Sequence, residues 1–302
     1  SGGISLKPAD KMWEMKGDMA GAAAVLYAMR ALGRLKPEVK VVGILCCAEN
    51  MPDARAQRPG DIYVGKNGKS VMVDNTDAEG RLALMDGFYR AGEEGATHMV
   101  DVGTLTGAVV RALGPSVAGI MGSDRDLVRR VIRSGENHGE PFWELPLVEE
   151  YKESLKTPYA DLNNIAAGGV AGAITAGLFL REFVPPGAAW AHLDIAGPMF
   201  KEKEWKYFDA GAIGFGVKTL VDLCERFRDP LAWADGLRPG HRPRLARLAD
   251  LKLRRLSPPA RRGDTGLRGH DAGRRRPLGV RGLPVAPHPR PRGPDPRPPA
   301  DR

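Results

Sequence analysis

Residues 70–91 read Ser70-Val71-Met72-Val73-Asp74-Asn75-Thr76-Asp77-Ala78-Glu79-Gly80-Arg81-Leu82, followed by Ala-Leu-Met-Asp-Gly-Phe-Tyr-Arg-Ala. The short apolar run at 70–73 predicts a strand, and from Asp77 a helix runs to about Ala91, ending near Gly92. Strand, polar turn and helix in direct succession form the repeating step of α/β folds, and the same step recurs on either side. Upstream, an Ala-rich helix is predicted over 19–35, with Val25, Leu26, Met29 and Leu32 at helical spacing, and a buried strand over 40–47. Downstream, strands are predicted at 98–102, 117–121 and 190–195, and helices at 124–133, 171–183 and 216–227. This alternation implies an α/β sandwich with a largely parallel sheet. No internal repeat is visible.

Composition divides the chain at residue 228. The 302 residues carry a net charge of +8, but residues 229–302 hold 18 Lys/Arg against 7 Asp/Glu, a net of +11. Residues 1–228 hold the remaining 27 basic and 30 acidic residues, a net of −3. The first part is long enough for a sizeable core. The second carries 14 of the 25 prolines. It lacks the apolar content that offsets ordering entropy, so a disordered basic tail is expected, with at most a weak basic helix over 231–256. The apolar run at 165–180 falls short of the roughly 18 residues that cross a membrane, so no span is expected. The start, Ser1-Gly-Gly-Ile-Ser-Leu-Lys-Pro8, has no secretory h-region and begins without Met, which predicts a fragment or a processed product. Three cysteines, Cys46, Cys47 and Cys224, make no disulfide framework and no CxxC, which fits a reducing, cytoplasmic setting.

Four polar clusters could carry chemistry. In the nonapeptide at 74–82, Asp77 and Glu79 stand two apart, on one side of an extended turn. Two such carboxylates repel unless a proton or cation lies between them, and oxygen-only ligands suit a hard or borderline divalent metal. The plainer reading, which the nonapeptide alone favours, is acidic first-turn residues complementing a helix dipole. The second cluster is Leu6-Lys7-Pro8 and Met15-Lys16-Gly17-Asp18-Met19. Its plainer reading makes Asp18 the N-cap of the Ala-rich helix and Lys7 a solvated lysine. The third, Asp101-Val102-Gly103-Thr104-Leu105-Thr106-Gly107, offers small and hydroxyl residues at a strand end, or simply a turn capped by Thr104 or Thr106. In the fourth, His192-Leu193-Asp194-Ile195-Ala196-Gly197-Pro198-Met199, no second His lies at metal spacing, so His192 reads as a satisfied buried histidine. No histidine suggests a nucleophilic triad.

Together these clusters resemble the catalytic domain of the leucyl (cytosol) aminopeptidase family. Asn75-Thr76-Asp77-Ala78-Glu79-Gly80-Arg81-Leu82 reproduces the family's signature octapeptide, and the blocks at 1–7, 15–24, 101–107 and 190–199 match four more at similar spacings. The resemblance covers residues 1–228. It implies a central mixed, largely parallel sheet with helices on both faces, following a smaller N-terminal domain and assembling as a homo-hexamer. It implies that Asp18, Asp77 and Glu79 bind metal in a two-cation site (Mn or Zn), with the Asp77 main-chain carbonyl as a further ligand. It makes Lys7 the group that polarises the substrate carbonyl and Arg81 the neighbour of a bound bicarbonate. Met15, Thr104, Gly107, Ala196 and Met199 match the pocket for the side chain of the N-terminal residue of a peptide substrate.

These roles are physically coherent. Two cations about 3.5–4 Å apart can activate water and clamp an oxyanion, and Lys7 supplies positive charge where negative charge develops. A small apolar pocket favours Leu- or Met-like side chains with broad specificity, since a methylene discriminates by only about 1–3 kcal/mol. The family's Ser-Gly-Gly block is preceded by a metal-binding Lys and a bridging Asp, neither of which is in this sequence. The expectation is therefore that the 302-residue chain has little or no peptidase activity, and that a sheet edge is exposed where a strand would pair. The alternative is a non-enzymatic remnant whose basic tail binds nucleic acid through phosphate charge. Its single aromatic, Trp233, gives no stacking platform, and nucleic acid is not the expected partner.

Overall fold

In a computed structural model of the chain, the described residues are Lys7, 12–204 and 208–228. The expected tail at 229–302, including its weak helix, lies outside them. A 3-10 segment, Met12–Met19, leads into α1 (Ala20–Leu35). Then come β1 (Ile62–Val64), β2 (Ser70–Met72), α2 (Gly80–Glu93), β3 (His98–Gly103), α3 (Gly107–Leu113), β4 (Ala118–Gly122) and α4 (Arg125–Asn137). They are followed by β5 (Phe142–Glu144), β6 (Leu162–Asn163), α5 (Gly172–Arg181), β7 (Ala189–Asp194), β8 (Phe200–Lys201), β9 (Gly211–Ala212) and α6 (Val217–Arg226).

The strands form a mixed α/β architecture. The main sheet has the order β3-β7-β4-β5, with β3/β7 and β4/β5 parallel and β4/β7 antiparallel. A second sheet, β1-β2-β6, pairs β1 with β2 antiparallel and β2 with β6 parallel, and β8/β9 make a small antiparallel pair. Helices cover both faces of the main sheet, as consecutive residues of β4 demonstrate. A Cβ on Gly177 of α5 would lie 2.8 Å from the Met121 sulfur, and one on Gly122 would lie 2.6 Å from Val128 of α4. Neighbouring strand residues face opposite ways, so α5 and α4 lie on opposite sides. The core between α2, α5 and the sheets is built on Trp190, Phe88, Phe179, Leu178, Leu180 and Leu155. The Phe88 and Trp190 rings meet edge to face at 6.3 Å.

Two expectations need correction. Residues 40–47 belong to no strand: Val41, Ile44 and Cys46 are half-buried, and Val42 and Leu45 are 47% and 43% exposed. Among the described residues β3 pairs only with β7, so its other edge is open. Between that edge and residues 39–46 lies a cavity of about 590 Å³ lined by Val25, Met29, Val41, Ile44, Phe88 and Leu223. The apolar run has strand character, but this cavity separates it from any partner, and periodicity alone carries no information about pairing. The second correction concerns α2, which starts at Gly80 rather than Asp77 because 74–79 form a turn tied to β6. The short strands β1, β5, β6, β8 and β9 carry no sequence signal, each being too short to show a period, while α3 is the helix that the strand-to-helix reading of 101–107 implies, with Thr106 as its cap.

α1 packs directly on the backbone of β3. A Cβ on Gly21 would collide with the Val102 carbonyl oxygen and approach the Gly103 Cα at 3.1 Å. Gly21→Val is expected to cost about 1–3 kcal/mol or more, read as a lower urea midpoint at unchanged slope.

Candidate active site

The C-terminal ends of β2, β3 and β7 each run into a turn, polar after β2 and β3 and apolar after β7, at the position where α/β folds place ligands. β2 leads to Asp74–Glu79, β3 to Thr104–Thr106 and β7 to Ile195–Met199. The first two turns adjoin, since a Cβ on Gly80 would sit 3.4 Å from a Leu105 methyl.

The turn after β2 is held by amides. Asn75 Oδ1 accepts the Asp77 N–H at 2.8 Å, an Asx turn, and Asn50 Nδ2 donates to the Thr76 carbonyl at 3.1 Å. Asn164 is wholly buried. Its Oδ1 accepts from the Asp74 and Asn75 N–H groups at 2.8 and 3.2 Å, and its Nδ2 donates to the Asn75 and Ala78 carbonyls at 2.7 and 3.4 Å. Glu79 occupies the N-cap position of α2 but makes no capping bond with its side chain.

Lys7 and Asp77, 70 residues apart, form an ion pair between Nζ and Oδ1, with side chains 29% and 23% exposed. Arg81, on the first turn of α2, is buried. Its Nη1 donates to the Asn164 carbonyl at 2.7 Å, and its guanidinium lies over the Phe179 ring. Burial lowers its pKa to about 10, against the pull of Asp194 and Glu79, so it stays charged at neutral pH. Its Nε is buried with no partner among the described residues.

Asp18 does not cap α1. The N-cap position falls on Met19, without a side-chain bond, because the chain enters through a 3-10 segment. The Asp18 carboxylate instead accepts from Thr104 Oγ1 at 2.7 Å, and the same hydroxyl reaches the Asp18 carbonyl at 3.0 Å. The structure thus joins Asp18 to Thr104 and Lys7 to Asp77.

Of the remaining pocket candidates, Met199 and the 3-10 segment that carries Met15 adjoin, since a Cβ on Gly17 would lie 3.2 Å from the Met199 methyl. Ala196 donates its N–H to Asp194 Oδ1 at 3.3 Å. Gly107 opens α3, where a Cβ would lie 3.5 Å from the Arg111 guanidinium of the same helix. Thr106 caps α3, accepting from the Val109 N–H at 3.1 Å.

Beneath the turns lies a buried polar pair set by strand register. Asp101 on β3 stands opposite His192 on β7, and its two oxygens bond His192 Nδ1 at 2.6 Å and Trp190 Nε1 at 2.8 Å. Burial opposes protonation of His192, but the Asp101 carboxylate overcomes it and raises the pKa. Asp194, also wholly buried, accepts from Thr106 at 2.7 Å and from the Leu105 N–H at 3.1 Å. Burial raises its pKa, opposed by His192 and these bonds.

The carboxylates of Asp18, Asp77 and Glu79 suit a hard or borderline divalent cation in kind, and Asp77 already draws a cationic group, the Lys7 ammonium, to its Oδ1. Among the described residues, however, no three Asp, Glu, His or Cys side chains gather into one cation-holding group. The buried, unpartnered Arg81 Nε fits an anion such as bicarbonate. Sequence reasoning missed two residues that organise the site. Asp194 was quoted only as a neighbour of His192. Asn164 stands in no motif, and its role depends on β6 lying beside β2, a pairing that no local signal gives.

No helix among the described residues is long and apolar enough to cross a membrane. The catalytic-domain model of the cytosol aminopeptidase family matches residues 1–221. A probable cytosol aminopeptidase of Koribacter versatilis is 48% identical over 227 residues, which cover 75% of this chain and 44% of the relative. One of Nitratidesulfovibrio vulgaris is 51% identical over 224 residues, covering 74% and 44%. A solved structure, a mutant of tomato leucine aminopeptidase, superposes with a TM-score of 0.66 at 44% identity, covering 72% of this chain and 42% of that one. The chain therefore spans less than half the length of the curated relatives it matches. With the octapeptide at the end of β2 and the matched region ending inside α6, the chain belongs to the cytosol aminopeptidase family through that family's catalytic domain.

Proposed function

We propose that the chain carries cation-binding and carbonyl-polarising residues of a metal-dependent aminopeptidase that releases N-terminal amino acids, Leu-like ones preferentially, from peptides. The observation that carries this reading is the Lys7–Asp77 pair, which brings an ammonium to the carboxylate turn across 70 residues of sequence. Asp18, Asp77 and Glu79 would hold the metal. When bound, two divalent cations, Mn²⁺ or Zn²⁺, supply Lewis acidity and a lowered water pKa. Lys7 places positive charge where the carbonyl oxygen of the scissile bond becomes negative. Arg81, fixed by the Asn164 carbonyl and charged at neutral pH, would hold a bicarbonate on its buried Nε side, and that anion would supply a proton acceptor. Met15, Thr104, Gly107, Ala196 and Met199 receive the side chain of the N-terminal residue. The catalytic unit is assigned to residues 1–228, and the whole protein to a cytoplasmic hexamer.

The 302 residues supply three of the five metal-binding side chains that the resemblance implies, and the described residues gather no three-ligand group. Purified chain with Mn²⁺ or Zn²⁺ is therefore expected to hydrolyse leucine p-nitroanilide at or near the background rate. Efficient hydrolysis that disappears in an Asp77→Ala, Glu79→Ala double variant would establish the aminopeptidase reading and overturn the low activity. Efficient hydrolysis retained by the double variant would overturn the assignment of these ligands.

A further inference from the structure

We propose that Asn164 is the positioning residue of the carboxylate turn: its side-chain amide holds residues 74–78 in the conformation from which Asp77 and Glu79 bind a cation, and its carbonyl fixes Arg81 to the same point. The proposal rests on the reading of Asp77 and Glu79 as cation ligands.

The argument begins with the sheet. β6 pairs with β2 so that Leu162 lies opposite Val71 and Asn163 opposite Met72, and the Asn164 N–H continues the ladder to the Met72 carbonyl at 2.9 Å. Continued by one residue, that register sets Asn164 opposite Val73, just past the end of β2 and one residue before the turn begins at Asp74. Its side chain is wholly buried and faces four backbone groups of that turn, two N–H groups and two carbonyls. An amide carries an oxygen that accepts two bonds beside a nitrogen that donates two, which matches these four partners and leaves one orientation of it. A hydroxyl or carboxylate would leave part of the turn unpaired in a buried place, which is costly.

The turn also needs an external clamp. Asp77 and Glu79 are like charges two residues apart, and close carboxylates repel. A free turn would let their backbones separate, whereas one pinned at Asp74, Asn75 and Ala78 keeps the main chain that carries both side chains in one conformation. The Asn164 carbonyl, 2.7 Å from Arg81 Nη1, ties the guanidinium to the same residue. One residue therefore holds the backbone of the carboxylate turn through its side-chain amide and the Arg81 guanidinium through its main-chain carbonyl. Partners of this kind alter metal affinity about 10–100-fold when removed.

The test uses the 302-residue chain, with hydrogen exchange in metal-free buffer and Mn²⁺ binding followed by the loss of the free-ion EPR signal. Asn164→Ala should speed exchange of the Asp74, Asn75 and Asp77 amides by about tenfold or more while β3 and β7 exchange as in the parent. Its Mn²⁺ affinity should fall about 10–100-fold. Asn163→Ala, one residue away on the same strand, should change neither reading. Asn164→Asp keeps the two accepted bonds, so its exchange should fall between parent and alanine, and it serves if the alanine variant does not fold. Unchanged exchange in the turn, or equal acceleration throughout the chain, overturns the clamp. Faster turn exchange with unchanged Mn²⁺ affinity overturns its link to the cation. A parent chain that binds no Mn²⁺, with the turn still responding to Asn164, overturns the cation reading and with it the positioning role.

Discussion

Asp101→Ala is expected to destabilise the protein by about 3–5 kcal/mol, the usual cost of removing one partner from a buried charged pair. Asp101 bonds two wholly buried side chains at once, His192 Nδ1 and Trp190 Nε1. Without it, both donors are left unpaired in the core, and His192 Nε2 already has no partner among the described residues. The effect should depend on pH. The folded-state pKa of His192 is raised above its ordinary 6.5. The folded protein therefore binds more protons than the unfolded chain, and stability falls as pH rises through the folded pKa. The contribution of the pair is complete below about pH 6.5 and declines above it. The penalty of Asp101→Ala, from denaturant melts of both proteins, should thus be larger near pH 6 than near pH 9. A penalty under 1 kcal/mol, or one that grows with pH, would show that the pair is not held as charged partners.

Much of this site was legible in the sequence because it is local. The octapeptide places Asp77, Glu79 and Arg81 on one turn and the start of one helix, and strand-turn-helix order puts that turn at a sheet end. Helices α1, α2, α4, α5 and α6 and strands β2, β3, β4 and β7 follow from apolar spacing, with boundaries shifted by a few residues. What could not be read depends on long-range pairing. Asn164 acquires its role only when β6 lies beside β2. Asp101 and His192, 91 residues apart, become partners through the register of two parallel strands. The run at 40–47 misled for the same reason, since its composition suits a strand but the open edge of β3 lies across a cavity. Asp18 showed the local signal of an N-cap, yet the 3-10 entry to α1 moved that position to Met19 and turned the Asp18 carboxylate to Thr104.

The second large effect is expected from Asp77→Ala combined with Glu79→Ala. In metal-free buffer the change in stability should be small, because the Lys7–Asp77 pair is partly exposed and solvent screens it, and because removing adjacent carboxylates relieves repulsion. With cation present the two proteins should diverge. A ligand that binds only the folded state adds about 2.7 kcal/mol at 100 times its dissociation constant, and a chain without the two carboxylates gains none of it. The affinity loss should exceed about 100-fold, beyond what removal of a supporting partner causes. The most direct measurement is therefore the Mn²⁺-induced rise in melting temperature of the 302-residue chain beside that of the double variant. The cation-site reading predicts a rise in the parent that saturates with Mn²⁺ and is absent from the variant. Equal rises in both proteins, or none in the parent, would contradict it.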